Sequence, residues 1–401
     1  MTTESHHPGP QRPALLTQPP RGASAWVEID VAAIATNVRE LRRRSSSAQL
    51  MAVVKADAYG HGVDVAARAA LAGGAQWLGV AQLSEAIELR DSGIDAPLLS
   101  WIYPPEADLA TAIRRDITLG IGARAHLASV ARAARAVGRA ATVHLKVDTG
   151  LGRGGVLEDL DAVLDDLAPL LAEGALTMGG TWSHFAFADA PDHPTVRAQQ
   201  ERFGEVLRLM EARGIPTGVA HLANSAATLT NPSAHFDMVR PGLAIYGLSP
   251  VPDLGRPEDF GLREAMRVRA RLTTVKRARA GQGVSYAHQY VTDRDTVLGI
   301  VPVGYADGVP RSASSAGPVR VGERTLTVAG RVCMDQFVVD LGPGATDVAE
   351  GDDAILFGPG TSGEPTALDW AEMLGTINYE VVTSPRGRVR RSYRGGPADA
   401  R

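Results

Sequence analysis

Short apolar runs alternate with longer segments of helical period through the first two-thirds of the chain. The runs have the length of strands and contain many β-branched residues, whereas the segments between them are rich in Ala, Leu and Arg. The predicted strands are 51–55, 77–81, 97–101, 117–121, 142–148, 176–184, 218–223 and 236–240. The predicted helices include 62–72, 84–92, 125–137, 158–172 and 194–213. This alternation is typical of an α/β fold with parallel strands.

The number of strands decides between two α/β architectures. Eight strands that alternate with helices predict an N-terminal (β/α)8 barrel of the TIM type. A doubly wound sheet is the alternative, but it needs no eighth strand and usually carries a G-x-G-x-x-G motif after its first strand. Neither of the first two predicted strands is followed by that motif, so the barrel is favoured.

Polar residues stand at or just beyond the C-terminal ends of five predicted strands. They are Lys55, Lys146 with Asp148, His184, Asn224 with Ser225, and Arg240. Barrel enzymes build their active sites at this face. We therefore predict a functional site there.

The pattern changes after about residue 263, where shorter runs alternate polar and apolar residues between Gly and Pro. This pattern predicts a C-terminal, mainly β domain over 263–386, with helical period only near 367–374. Its predicted strands are 268–276, 297–303, 319–321, 325–329, 337–340 and 353–357.

The ends of the chain are assigned by composition. A barrel domain is expected over 25–262, although the strand at 25–30 could join either domain. Residues 1–24, rich in Pro, Gln, Thr and His, predict a disordered extension, and the Arg/Gly-rich residues 387–401 predict a flexible tail. The pair His6 and His7 fits that extension better than a metal site.

Composition excludes several classes of protein. The net charge of −4 is spread over interspersed charges of both signs, so no basic face indicates nucleic acid or a membrane surface. No apolar run approaches the length that spans a bilayer, and the N-terminus lacks the features of a signal peptide. The single cysteine, Cys333, permits no intramolecular disulfide and fits a cytoplasmic protein.

Lys55 is the most informative single residue. It ends a strand apolar enough to be buried, and a Gly-rich turn that carries Tyr59 follows it. Burying an ammonium group is costly and lowers its pKa, which makes the amine a nucleophile towards aldehydes. Lys55 is therefore a candidate Schiff-base lysine. A salt bridge at the barrel rim is the alternative.

Motifs spread over both predicted domains resemble those of alanine racemases, pyridoxal 5'-phosphate enzymes in which a barrel is joined to a β domain. The resemblance covers about 25–386. The motifs are VVKADAYGHG at 53–62, HLKVDTGLGRGG at 144–155, SHFAFAD at 183–189, ANSAA at 223–227, MVRPGLAIYGL at 238–248, GVSYAHQY at 283–290, VGYADGVPR at 303–311, GRVCMDQ at 330–336 and INYE at 377–380. The resemblance is specific because all nine motifs occur in the order, and in the domains, expected for this family.

The resemblance implies a two-base racemisation of alanine through a cofactor imine, which supplies D-alanine for peptidoglycan. Lys55 would form the imine and serve one face of the substrate, and Tyr286 would serve the opposite face. His184 would link Tyr286 to Arg240. Arg240 would face the cofactor's ring nitrogen and keep it unprotonated, which weakens the electron sink. For Arg240 taken alone, an ion pair with Asp237 is the alternative.

The remaining site residues are also implied by the resemblance. The cofactor phosphate would be held by Tyr59, Tyr379, Asn224, Ser225 and Gly242, where Asn224–Ser225 otherwise has the pattern of an ordinary helix cap.

A second group would act on the ring and the substrate. Arg153 would contact the ring hydroxyl and the substrate carboxylate, and Lys146 would be carbamylated or would form a plain salt bridge. Met334 would contact the substrate through its backbone N–H from a partner subunit, so the implied assembly is a homodimer with composite sites. Positions of the access channel are Arg311, Arg331, Asp189 and Ile377.

Other functions share part of this pattern. A racemase of broader specificity, or a barrel-type decarboxylase, would use the same cofactor. A non-enzymatic protein that binds the cofactor in a barrel would share Lys55, but it would lack the β domain and Tyr286. The segment 263–386 therefore counts against that last alternative.

Overall fold

Parallel strands alternate with helices through the first part of the computed structural model, which describes residues 18–19 and 22–396. Residues 1–17, 20 and 21 of the predicted N-terminal extension lie outside the described residues, as do 397–401 of the predicted tail. The elements of the first part are β1 (Ala25–Asp30), α1 (Val31–Arg44), β2 (Gln49–Val53), α2 (Lys55–Tyr59), α3 (Val63–Ala72), β3 (Trp77–Gln82), α4 (Leu83–Asp91), β4 (Leu98–Ile102), α5 (Leu109–Arg114), β5 (Thr118–Ile121), α6 (Arg124–Val137), β6 (Ala141–Lys146), α7 (Leu160–Ala172), β7 (Leu176–Trp182), α8 (Pro194–Ala212), β8 (Val219–His221), α9 (Ser225–Thr230) and β9 (Met238–Val239).

The second part is mainly β structure. Among all the described residues, no helix is long and apolar enough to cross a membrane. Its elements are β10 (Met266–Arg271), β11 (Thr274–Ala278), β12 (Gly283–Val284), β13 (Tyr290–Val291), β14 (Thr296–Val301), β15 (Pro318–Val321), β16 (Arg324–Thr327), β17 (Phe337–Gly342), β18 (Asp353–Phe357), α10 (Ala367–Leu374), α11 (Asn378–Thr383) and β19 (Arg390–Arg394). Short 3-10 turns lie at Pro232–Ala234, Leu243–Tyr246, Pro257–Phe260, Tyr286–His288 and Arg311–Ala313.

Strands β2 to β9 form a closed parallel barrel in sequence order, which confirms the predicted architecture. Closure comes from β9, which pairs in parallel with β2 through Leu50 and Val239. The doubly wound alternative is therefore wrong, because an open sheet has no such last pairing. All the strand ends that carry the predicted polar residues consequently meet at one face.

The barrel interior is filled by large side chains. Met51, Leu99 and Met238 form one buried cluster, and Trp77 and Trp101 pack against it. Room for these side chains comes from small residues on neighbouring strands. A Cβ atom at Gly79 would lie 2.8 Å from the Met51 sulfur. The barrel has a packed core, so its chemistry is confined to the ends of the strands.

The outer helices follow from their apolar spacing, as α6 shows. Leu127, Val130, Ala131 and Ala134 recur at helical intervals and are buried. Gly138 then ends the helix in the left-handed conformation, with φ of 71°. Each such helix covers the barrel with its apolar side.

The second part contains a six-stranded sheet in the order β16-β15-β18-β10-β1-β19 and a three-stranded sheet in the order β11-β14-β17. The predicted single strand at 268–276 is wrong in one respect, because it is two strands that belong to different sheets. The chain crosses between the sheets at Leu272 and Thr273. Their N–H groups donate to Asp352 and Ile300 respectively, one on each side of the crossing.

Both ends of the described chain belong to the six-stranded sheet. Strand β1 pairs antiparallel with β10, so 25–30 joins the second part and not the barrel domain in which the predicted boundary placed it. The predicted flexible tail is wrong for Arg390–Arg394, which pair in parallel with β1. Arg394 forms ion pairs with Glu28 at 3.2 Å and Asp30 at 3.5 Å. Arg394 thus holds this strand to β1 through side-chain charge as well as through the backbone pairing.

Asn37 joins α1 to the segment that leads from the barrel to β10. It is fully buried, and its amide group donates to the carbonyl oxygens of Ile245 at 3.1 Å and Arg263 at 2.9 Å. Its Oδ1 atom accepts from the N–H of Arg263 at 2.9 Å. All three partners are backbone groups, so this one side chain links α1 to two separate backbone segments at Ile245 and Arg263.

Replacing Asn37 with Ala should lower the free energy of unfolding by about 2–3 kcal/mol, because buried backbone groups lose their partners. Chemical denaturation measures this change. The matched control is the neighbouring Thr36→Ala, which removes a methyl group and a hydroxyl that accepts from the exposed Arg39, and should cost less than about 0.5 kcal/mol. Equal stability of the two variants would contradict the role given to Asn37.

Candidate active site

The carboxyl end of the barrel gathers four cationic side chains around one histidine. Burial lowers the pKa of His184 well below its ordinary value, and the charges of Arg240, Arg153, Lys146 and Lys55 lower it further. The sequence places these residues far apart, but the ends of β2, β6 and β9 bring them to one face. His184 is therefore neutral in a strongly positive site.

Arg240 follows β9 and is 5% exposed. Its guanidinium donates to the Ser183 carbonyl at 2.7 Å, to His184 Nδ1 at 3.3 Å and to His221 Nδ1 at 3.2 Å. The proposed ion pair with Asp237 is wrong, since that carboxylate accepts from the N–H of Ala220 at 2.9 Å. Burial lowers the pKa of Arg240 to about 9. The arginine is held by neutral groups, so its charge is not compensated.

A pair of buried histidines lies behind Arg240. His221 Nε2 and His144 Nδ1 are 2.8 Å apart, and Arg240 donates to the other nitrogen of His221. Burial, reinforced by Arg240, lowers the pKa of His144 to about 3 and that of His221 well below its usual range. Neither histidine is among the site residues predicted from the sequence. The signal that could have found them is their position in the barrel strands, His144 within β6 and His221 at the end of β8.

Lys55 and Lys146 face the same region. Burial lowers the pKa of Lys55, and the charge of Arg153 adds to this effect while Glu85 opposes it. Burial, with Arg153 and Arg240, lowers the pKa of Lys146 to about 8. Within 18–19 and 22–396, no carboxylate forms a salt bridge with either lysine or with Arg153. The plain salt bridge considered for Lys146 is therefore not found there.

Asp148 organises the Gly-rich turn that leads to Arg153. Its carboxylate accepts from the N–H groups of Gly150 and Leu151 at 2.9 Å, and from those of Gly152 and Arg153 at 3.2 Å. Burial alone would raise the pKa of this carboxyl, but the four N–H groups outweigh burial and lower it. With its charge used by the backbone, Asp148 fixes the turn up to the N–H of Arg153 and forms no ion pair with that arginine.

The turn that follows Lys55 is left-handed. Ala56, Asp57, Ala58 and Tyr59 have φ values of 54°, 52°, 54° and 54°. Each such residue costs roughly 1–2 kcal/mol relative to the right-handed form, so the surroundings must hold the turn. Glu85 accepts from the N–H of Ala56 at 2.5 Å, and the Asp57 carboxylate accepts from that of Val63 at 2.8 Å.

The left-handed turn directs Tyr59 towards the barrel axis. Its ring centroid lies 5.0 Å from that of Tyr246 and 6.0 Å from that of Tyr379. The Lys55 ammonium lies 5.9 Å from the Tyr59 ring. Helix α11 supplies Tyr379, whose pKa is raised to about 12 by burial and by Asp189. These contacts bring together aromatic residues from both parts of the chain.

Ser225 and Gly242 lie beside the hydroxyl of Tyr59. Ser225 Oγ accepts from the N–H groups of Gly242 at 2.8 Å and Ala244 at 3.2 Å. A Cβ atom at Gly242 would lie 2.3 Å from Tyr59 Oη, so only glycine allows this approach. Asn224 is a helix cap, because its side chain accepts from the N–H of Ala227 at 3.1 Å.

Tyr286 and Met334 do not join this site within one chain. Both belong to the second part, where they are 69% and 53% exposed. No hydrogen bond or ion pair among the described residues connects Tyr286 to the barrel. The backbone around it is constrained, with φ of 61° at Ser285 and 59° at Ala287. The loop therefore presents the tyrosine outwards.

The residues predicted to lie in an access channel also divide between the two parts. Asp189 acts on Tyr379 through its charge, and Ile377, 59% exposed, precedes α11. Arg331 donates to Gln289 at 3.3 Å, and its carbonyl oxygen accepts from Ser285 at 2.8 Å. Arg311 begins a 3-10 turn.

Comparison with known proteins covers both parts of the chain. The profile described as Alanine racemase, N-terminal domain, matches residues 29–250, and that described as Alanine racemase, C-terminal domain, matches 265–393. An alanine racemase of Frankia casuarinae is 54% identical over 91% of this chain and 95% of its own length. An alanine racemase of Mycolicibacterium smegmatis is 52% identical over 94% of this chain and 97% of its own length. The crystal structure of alanine racemase from the D-cycloserine producer Streptomyces lavendulae superposes with a TM-score of 0.92. The match has 48% sequence identity and covers 95% of this chain and 99% of that one.

Asp148→Asn should destabilise the chain at neutral pH, because the amide cannot carry the charge that the four N–H groups stabilise. Since the folded pKa of Asp148 is lowered, its contribution is present above the unfolded value of about 3.9 and is lost as pH falls through the folded value. We expect the variant to lose about 1–3 kcal/mol of unfolding free energy at pH 7, and less at about pH 3, below the unfolded value. Denaturant midpoints at several pH values test this. A stability difference between the native chain and the variant that grows as the pH falls would contradict this role of Asp148.

Proposed function

The chain belongs to the alanine racemase family and interconverts L- and D-alanine, and we propose that it does so with pyridoxal 5'-phosphate and two bases, Lys55 and Tyr286. The observation that supports this proposal best is the positive charge at the barrel end. Lys55, Lys146, Arg153 and Arg240 have no carboxylate partner among the described residues. An anionic ligand would stabilise such a group of cations.

The residues present fit this cofactor. The hydroxyl of Tyr59 lies over Gly242 beside Ser225, which suits a phosphate group, and Tyr379 packs near it. Arg240 would face the ring nitrogen, Arg153 the ring oxygen and Lys55 the aldehyde carbon. When bound, the cofactor supplies the electron sink that makes the Cα proton of alanine removable.

Lys55 is the base for the face of Cα that carries the D-alanine proton. Its lowered pKa leaves more free amine at neutral pH than an exposed lysine would have. The left-handed turn behind it fixes the start of its side chain. Lys55 would take a proton from D-alanine and return one when D-alanine is the product.

Tyr286 is the base for the opposite face and comes from a second copy of the chain. A phenol is a poor base at neutral pH unless cations stabilise its anion. The barrel end provides those cations, but the tyrosine of the same chain is exposed in the second part. A two-fold dimer would place each second part against the partner's barrel. Met334 would enter the site in the same way.

Arg240 limits the reaction to racemisation. A guanidinium cannot accept a proton and disfavours a second positive charge beside it, so a ring nitrogen facing it stays unprotonated. The sink is then weaker than one opposite a carboxylate, and side reactions at the substrate become less frequent. His221 and Ser183 orient the arginine through neutral contacts.

Lys146 is proposed to carry a carbamate. Burial and the nearby arginines lower its pKa to about 8, so a free amine is available to attack the carbon of CO2. The nitrogen loses a proton and the product bears a negative charge. That charge would compensate Arg153, for which the described residues offer no carboxylate.

The second part of the chain separates this function from its alternatives. A barrel that only binds the cofactor needs no C-terminal domain, whereas that domain matches here over residues 265–393. Broader amino-acid specificity is an outcome that a substrate panel would detect. We further propose a cytoplasmic location, which the single Cys333 allows, and a role for the product D-alanine in peptidoglycan.

Tyr286→Phe should slow exchange of the L-alanine Cα proton with heavy water far more than exchange of the D-alanine proton, because Lys55 still serves the latter. Removal of a general base costs about 10²–10⁴-fold. Mass spectrometry of recovered substrate measures both rates. Equal exchange of the two enantiomers at the native rates would show that Tyr286 is not a base.

Mixing inactive Lys55→Ala chains with inactive Tyr286→Ala chains should restore activity. In a mixed dimer, one composite site contains both intact residues and the other contains neither. Random pairing makes about half the dimers mixed, so about a quarter of all sites should recover. Racemisation after subunit exchange measures the recovery.

The control mixture combines Lys55→Ala chains with chains that carry both substitutions, which leaves no intact site in any dimer. Native mass spectrometry confirms exchange in both mixtures. Background activity in the test mixture, with mixed dimers present, would mean that each site is built within one chain.

A further inference from the structure

The left-handed turn after Lys55 is held from the side by the last strand of the described chain. Ala56, Asp57, Ala58 and Tyr59 all have positive φ, which L-residues adopt only when their surroundings require it. The hydrogen bonds of Glu85 and Asp57 fix the N–H groups of Ala56 and Val63. Two acceptors on the outer side of the turn still need a partner. They are the carbonyl oxygen of Gly60 and Oδ2 of Asp57.

Arg391 in β19 is that partner. Its Nε donates to the carbonyl oxygen of Gly60 at 2.6 Å, and its Nη2 lies 2.6 Å from Asp57 Oδ2. The planar guanidinium thus joins two points three residues apart on the turn. A lysine has no second donor direction of this fixed geometry.

The same strand closes the turn at its C-terminal side. A Cβ atom at Gly62 would lie 2.2 Å from the hydroxyl of Tyr393, and one at Gly60 would lie 2.5 Å from the carbonyl oxygen of Val382. Residues 57–62 therefore fit against α11 and β19. The sheet to which β19 belongs also contains β1 and β10, so the turn is anchored to the second part of the chain.

We propose that Arg391 is a positioning residue for Lys55 and Tyr59. By holding the left-handed turn, it keeps the amine and the phenol in place before the cofactor arrives. The inference rests on the proposed function only in that these two residues are there taken to hold the cofactor. It assigns a role at the barrel end to Arg391, which lies 336 positions after Lys55 in the sequence.

The test compares the full-length chain with Arg391→Gln by hydrogen exchange in the absence of cofactor. The N–H groups of Ala58, Gly60, His61 and Gly62 are hydrogen-bonded within the turn and report on its opening. Loss of a charged, two-pronged contact should raise their exchange about tenfold. Amides of β1, which pair with β10 and β19, should be unchanged. Dissociation of pyridoxal 5'-phosphate from the loaded variant should accelerate to a similar degree.

Two further variants make the result specific. Arg390→Gln removes an exposed arginine next in the same strand, and should match the native chain. Asp57→Asn combined with Arg391→Gln should raise exchange in the turn no more than Arg391→Gln alone, because the ion pair between the two side chains is already lost and the amide oxygen can still accept from the N–H of Val63.

Native exchange in the turn of Arg391→Gln would overturn the inference. So would exchange that rises equally in β1, since Arg391 would then only hold the sheet, or additive effects in the double variant. If the native chain fails to bind the cofactor, the proposed function fails. The exchange of the cofactor-free chain still decides the role of Arg391.

Discussion

Positive charge that no salt bridge compensates, among the described residues, is the constraint on which the carboxyl end of the barrel depends. Lys55 and Lys146 have lowered pKa values because of burial and of the nearby arginines. Arg240 is 5% exposed and bonded only to neutral groups, and burial together with the neighbouring charges lowers the pKa of His184 well below its ordinary value. An unpaired buried charge is costly, so a ligand with a phosphate group would stabilise the fold and bind tightly for the same reason.

Local patterns were sufficient to predict the architecture. Strand-length apolar runs that alternate with helical segments predicted the barrel, and closure between β2 and β9 confirms it. Parallel strands carry their C-terminal ends to one face, so Lys55, His184 and Arg240 could be placed together before any coordinates were known. The family and the reaction followed from motifs in both parts of the chain. The roles of individual site residues remain predictions.

Features that depend on distant partners could not be predicted in this way. Nothing in the composition of 387–401 shows that Arg391 meets Asp57, or that β1 leaves the barrel for the sheet of β10. The positive φ angles of Ala56 to Tyr59 follow from contacts on several sides and have no signature in Ala or Asp. His144 and His221 were missed because a histidine within a strand usually indicates only a packed core. The place proposed for Tyr286, in the site of a second chain, depends on an assembly that the local pattern of one sequence does not display.

The central claim is that the cationic barrel end holds pyridoxal 5'-phosphate on Lys55. The chain suits a direct test, because its only lysines are Lys55, Lys146 and Lys276. Purified protein is loaded with the cofactor, reduced with borohydride, digested and mapped by mass spectrometry. The account predicts a stable phosphopyridoxyl label on the peptide that contains Lys55, at about one per chain. A label on Lys146 or Lys276, or no label on protein that retains the cofactor, would contradict it.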